Sequence, residues 1–153
     1  MASSGKKAIA WALCAAWMAV IFVMSAMPGD VSGAQSGMVT QLILQALSPV
    51  LGPGTAEKTL EFLVRKGAHM AEYAVLFLLY RRALRFGGGK RPGVKAFLMA
   101  VAYAATDEFH QAFVPGRGPA AADVMIDAAG AGAAWALAAA LSAARRAIEK
   151  RRS

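Results

Sequence analysis

The chain has 153 residues, 58% hydrophobic and only 17% charged, with a mean hydropathy of +0.45. Soluble domains carry about 25% charged residues, so these values exclude a disordered tail, a coiled coil and an ordinary small soluble enzyme. The net charge is +8, and the one cysteine, Cys14, excludes an intramolecular disulfide and a Cys-cluster zinc site. What remains is a single all-α domain, residues 1–153, that reads as a polytopic membrane protein.

Residues 8–27 are free of charge and long enough, at 1.5 Å per residue, to cross about 30 Å of hydrocarbon; Pro28 and Gly29 end the run. Lys6 and Lys7 precede it as in a secretory signal. The run nevertheless exceeds an h-region, and cleavage after Ala26 would put bulky Met24 at the −3 position, so the span is expected to be retained. A connector, residues 28–62, is expected along the extracytoplasmic membrane surface. It reads as turn-rich at 29–36 and amphipathic at 38–47, where Met38, Val39, Leu42, Ile43, Ala46 and Leu47 share a face. After a break at 49–54, Thr55 is placed to cap a helix in which Leu60, Leu63 and Val64 oppose Glu57, Lys58, Glu61 and Arg65.

The second span is expected at 63–80 and the third at 94–113, stopped by Pro115 and Gly116. The fourth, at 124–144, is nearly all Ala and Gly, and Ala129, Gly130, Gly132 and Ala133 allow close helix approach. A basic cytoplasmic tail, residues 145–153, follows. The expected fold is a four-transmembrane-helix bundle with an amphipathic extracytoplasmic connector between the first two spans. Trp11, Trp17 and Trp135 read as interface or packing aromatics, the eight Met as core filling, Gly87, Gly88 and Gly89 as a flexible turn, and Cys14 as buried and inert.

Charge placement orients this bundle. The N-terminal tail (Lys6, Lys7), the middle loop (Arg81, Arg82, Arg85, Lys90, Arg91, Lys95) and the C-terminal tail (Arg145, Arg146, Lys150, Arg151, Arg152) hold thirteen of the seventeen basic residues. By the positive-inside rule both termini are expected in the cytoplasm, with the chain multi-pass in a bacterial cytoplasmic membrane. Of the acidic residues only Glu149 falls on that side. The positive excess is thus a topology signal, and no nucleic-acid partner is expected.

The ionisable residues inside the spans converge. Arg65, His69, Glu72 and Tyr73 follow i, i+4, i+7, i+8 spacing and share one face of the second span. Asp107, His110 and Gln111 share a face of the third, with Glu108 offset; Asp123 and Asp127 stack one turn apart on the fourth; and Arg117 sits in the loop between. Intramembrane charge is costly and marks function by default. Three chemistries fit. Arg65, Lys66 and Arg117 suit a phosphate. His69 or His110, oriented by Glu72 or Asp107 with Glu108 nearby, suits acid–base or nucleophilic catalysis. The i, i+3 pairs His69/Glu72 and Asp107/His110 have the spacing of metal ligands in helix bundles. A purely structural network, in which these groups pair with one another, is the remaining reading. No cofactor is required, and a divalent metal is the one cofactor that the spacing admits.

At these residues the chain resembles the VanZ-like family of small bacterial membrane proteins. The resemblance is carried by Ser25 and Pro28 at the end of the first span, by Arg65, Lys66, Ala68, His69 and Tyr73, and by the run Asp107, Glu108, His110, Gln111, Phe113, Val114, Pro115, Gly116 and Arg117. It continues through Asp123, Val124 and the Gly130 region, and so covers nearly the whole chain. Asp127 departs from the Asn often found a few residues after the Asp-Val pair. The resemblance implies a membrane location and, for the founding member, an association with resistance to the glycopeptide teicoplanin; it supplies no mechanism. The leading expectation is an envelope protein binding a phosphorylated or polar lipid-linked ligand at the outer leaflet, its partners being membrane lipids and lipid-linked cell-wall intermediates. The alternatives are an integral-membrane hydrolase or transferase acting on such lipids, and a structural or partner-binding role.

Overall fold

The computed structural model describes residues 2–47, 57–88, 90–118 and 120–152, and all regular structure among them is helical. The helices are α1 (Ala2–Ser25), α2 (Gly29–Leu47), α3 (Glu57–Phe86), α4 (Pro92–Gln111) and α5 (Ala121–Arg152). α3 is the hub, packed against each of the other four, and α5 also packs on α4. Size complementarity explains this. α3 contributes the large buried side chains Tyr73, Leu76, Phe77 and Tyr80, while α4 offers Ala96, Ala100 and Ala104 and α5 offers Gly130, Ala131, Ala134 and Ala138 at helical spacing. Small residues opposite large ones bring the axes close without voids. Cys14 is buried in α1, and all three tryptophans pack on this core.

Two helices, α1 from Ser4 to Ser25 and α5, are long and apolar enough to cross a bilayer. The other two expected spans fall short by composition, because Arg65, Lys66 and Glu72 interrupt α3 and Lys95, Asp107 and Glu108 interrupt α4. The bundle surface is rich in large apolar groups, among them Ile9, Val23, Leu98 and Leu137. Such a surface is consistent with a membrane protein.

The connector differs most from expectation. Residues 29–36 are not a turn-rich stretch; they are the first two turns of α2. Asp30 lies in its first turn, and the hydroxyls of Ser36 and Thr40 donate to the carbonyls of Ser32 and Ser36 one turn back, which keeps polar side chains satisfied inside a helix. Its polar face is the one turned inward. Thr40 and Ser36 are buried against the bundle, whereas Met38 and Leu42 are 64% and 60% exposed. The helix beginning near residue 57 runs without interruption into the second span, so both belong to α3. The break at 49–54 and the Thr55 cap lie outside the described residues. Of the expected tail at 145–153, residues 145–152 are the end of α5, helical to Arg152.

Both Pro-Gly corners stop helices as expected, and they meet. The Gly29 N–H donates to the Pro115 carbonyl at 3.0 Å, and a side chain at Gly29 would collide with the backbone of Gly116, itself at φ 72°. The α1–α2 corner is therefore locked onto the α4–α5 loop, at the bundle end opposite both termini.

Candidate functional site

A cavity of about 290 Å³ opens at this end between α1, α2, α3 and α4. Five of the residues singled out from sequence line it: Arg65, His69 and Glu72 from α3, Asp107 from α4, and Arg117 from the following loop. Ser25 closes one side, and Ser32, Gln35 and Ser36 of α2 form a polar wall; Met24, Val39, Val64 and Ala68 make the rest apolar. Ser32, Gln35 and Ser36 were not among the expected site residues. Their i, i+3, i+4 spacing was the available signal, masked by reading the stretch as turns.

Arg65 reaches out from α3 to donate to Ser36 Oγ at 3.2 Å and to Glu61 at 3.4 Å. Arg117 is more fully engaged. Its guanidinium donates to the carbonyls of Met27 and Met24 at 3.1 and 3.3 Å and to Gln111 Oε1 at 3.1 Å. Burial and the neighbouring Arg65 pull the Arg117 guanidinium below its ordinary value, opposed by Asp107 and Glu108. Gln111 also donates to Asp107 Oδ2 at 3.2 Å, so one amide links the pocket carboxylate to the loop arginine.

The other sequence-derived candidates surround the cavity without lining it. Lys66 pairs with Asp123 at 2.5 Å, and His69 Nδ1 stands 3.6 Å from Asp127 Oδ1. These are two rungs, one turn apart, between α3 and α5, which run parallel. The acid opposite His69 is thus Asp127 rather than Glu72, because the His69/Glu72 pair points off one helix while Asp127 arrives from another. Glu108 accepts the Ala120 N–H at 2.6 Å and ties α4 to the start of α5. His110 stacks on Phe22 of α1 with ring centroids 4.4 Å apart, and Tyr73 is fully buried facing Tyr103. Among the described residues no three His, Cys, Asp or Glu side chains gather closely enough to hold a metal ion.

The pairing makes a direct prediction. Lys66 and Asp123 are each about one-fifth exposed, so Lys66→Met strands a largely buried carboxylate. The expected cost is about 1–3 kcal/mol in thermal unfolding, partly recovered when Asp123→Leu is added.

Several buried polar atoms make no close hydrogen bond among the described residues: His69 Nδ1 and Asp127 Oδ1 face each other at 3.6 Å, Tyr73 Oη faces the Asp107 carboxylate, and Ser25 Oγ on the cavity wall and His110 Nδ1 nearby have no such neighbour. Buried polar groups are normally satisfied, and a concentration of unsatisfied ones calls for an explanation. Here they combine hydrogen-bond acceptors and donors with the partly exposed guanidinium of Arg65 and an apolar flank. That chemistry suits a head group bearing both anionic oxygen and hydroxyl or amine donors.

A family model described as VanZ/LLP1 matches residues 10–142. No curated protein and no solved structure matches the chain.

Proposed function

We propose that this chain, which belongs to the VanZ/LLP1 family, is a multi-pass envelope protein that binds the polar head group of a lipid-linked ligand in the cavity beneath α2. The observation that carries the reading is the convergence of Arg65, His69, Glu72, Asp107 and Arg117 on one cavity that also has an apolar flank and the unpartnered hydroxyl of Ser25. In this reading α1, α3, α4 and α5 all cross the membrane. Glu72 of α3 and Asp107 and Glu108 of α4 turn into the bundle, as intramembrane charge does, while apolar side chains such as Leu98 face outward. Thirteen of seventeen basic residues lie at the other end, which supports cytoplasmic termini and an outer-leaflet cavity. α2 then lies at the outer surface with Met38 and Leu42 in lipid and its Ser-rich face over the head group.

Arg65 is the cleanest probe, because among the described residues its side chain bonds only Ser36 and Glu61. Delipidated protein incubated with a polyprenyl phosphate is expected to show a bound adduct in native mass spectrometry. Arg65→Gln is expected to weaken it about tenfold, the worth of one lost charge-assisted contact. Unchanged binding in a folded Arg65→Gln protein sinks the proposal. Teicoplanin susceptibility of cells carrying each variant is the physiological readout.

A catalytic version is favoured by one observation: His69 lines the cavity with the Asp127 carboxylate 3.6 Å from its Nδ1, a side-chain pair that suits a general base once the two close to hydrogen-bond distance. His110, turned onto Phe22, does not fit that role. Turnover of the polyprenyl phosphate that disappears in His69→Gln while binding persists would establish a hydrolase or transferase.

A further inference from the structure

A second cavity, of about 410 Å³, lies at the opposite end of α3 and is lined by Leu78, Arg81, Arg82, Arg85 and Phe86. These positions follow i, i+3, i+4, i+7, i+8 and so occupy one face. Among the described residues none of the three arginines forms an ion pair; Arg82 instead stands over the Phe86 ring, 5.8 Å from its centroid. Three like charges held together without an acid make a strongly anion-seeking patch.

Leu78 is shared with a third cavity, an apolar groove of about 460 Å³ between α3 and α5. The groove passes Ala74 and Leu78 on one side and Gly130, Ala133, Leu137 and Leu141 on the other. Because α3 and α5 run parallel, it descends from the level just below the His69–Asp127 rung to the arginines. From Gly130 to Leu141 α5 rises about 16 Å, close to the depth of one leaflet, half of about 30 Å of hydrocarbon. A basic pocket continuous with an apolar trough one leaflet deep has the two-part shape of a phospholipid.

We infer that this face binds one anionic phospholipid of the cytoplasmic leaflet, its phosphate on Arg81, Arg82 and Arg85 and one acyl chain in the α3–α5 groove. Arginine suits the head group because its fork contacts two phosphate oxygens at once, and basic pockets beside membrane helices on the cytoplasmic side recognise anionic head groups this way. The inference shares the membrane placement of α3 with the proposed function but makes no use of the outer cavity. Its role is to fix the depth and spacing of the two parallel helices that carry that cavity.

The test titrates delipidated protein in mild detergent with phosphatidylglycerol or phosphatidylcholine of identical chains, read by native mass spectrometry. The wild type is expected to take one phosphatidylglycerol at least about tenfold more tightly, a preference lost in R81Q/R82Q/R85Q. Ala133→Trp, at an exposed groove position, fills the trough and leaves every charge in place; it is expected to weaken phosphatidylglycerol about tenfold. Equal binding of the two lipids, or binding unchanged in either variant, overturns the inference. So does a protein dimer that phosphatidylglycerol dissociates, which assigns the groove to a second copy. An adduct lost in Arg65→Gln but kept in the triple variant belongs to the outer cavity and also overturns it, whereas an adduct indifferent to Arg65 stands whether or not the outer cavity binds lipid.

Discussion

Gly130→Val is expected to abolish folding, or to lower stability by more than about 3 kcal/mol, the upper range for overpacked interfaces. A side-chain carbon at this position would run into the carbonyl and Cα of Met70, which are backbone atoms of α3 with no rotamer to yield. The only relief is to move α5 away from α3. That movement also opens the Lys66–Asp123 and His69–Asp127 rungs, which sit within two turns of the contact. Gly132→Ala supplies the contrast. Its added carbon would lie 3.8 Å from the Phe97 ring, an ordinary contact, so only the helix-propensity gain of about 0.5–1 kcal/mol should register. Tryptophan-monitored melting in detergent measures both. If the two substitutions behave alike, the close approach at Met70 does not hold the bundle together.

That glycine was legible in the sequence as a small residue in a small-residue helix, but its partner was not. Helix existence follows from local pattern, which is why α1, α4 and α5 each coincide with an expected span, α4 to within two residues at either end, while α1 starts earlier and α5 runs on through the basic tail. Register between helices depends on three-dimensional packing, so the acid facing His69 could not be chosen among Glu72, Asp107 and Asp127 from spacing alone. The convergence of three polar faces was readable because each face is a helical period. Which members line the cavity, and which pair behind it, was not.

α2 illustrates a different limit. Gly and Ser at 29–36 favour turns when water solvates the backbone, yet the hydroxyls of Ser36 and Thr40 find carbonyl partners within the helix, and Arg65 of α3 anchors Ser36 from outside. Tertiary contact overrides weak propensity. The exposure of its apolar face inverts the rule for a helix packing on a core in water. For a helix at a membrane surface the inversion is expected, since lipid takes the apolar side and the polar side turns to the protein. The helix expected after residue 55 and the second span at 63–80 are one helix for a related reason: hydropathy marks where charge ends, whereas α3 continues through Glu57, Lys58 and Glu61 because nothing there breaks it.

Arg117→Ala is expected to cost about 3–4 kcal/mol and to loosen the corner where α1 meets the α4–α5 loop. The last carbonyls of a helix have no partner within it and carry partial negative charge, so a cation there is doubly favoured. Arg117 supplies that cation across 90 residues of chain, donating from one nitrogen to Met24 in the last turn of α1, from a second to Met27 just beyond the helix end, and from a third to Gln111. Hydrogen bonds to charged groups contribute about 1.5–3 kcal/mol each, and water entering the partly exposed site recovers a share of the three. Arg117→Lys keeps the charge but has no planar fork to span two carbonyls and an amide, so it should restore about half of the loss in thermal unfolding. This ordering separates scaffold from ligand contact. If lipid binding follows stability through Arg, Lys and Ala, Arg117 serves the cavity by clamping its wall. If Arg117→Lys binds as tightly as the wild type while remaining less stable, the residue's charge is itself part of head-group recognition. A fully stable Arg117→Ala protein would show instead that the shared Gly29–Pro115 contact alone holds the corner.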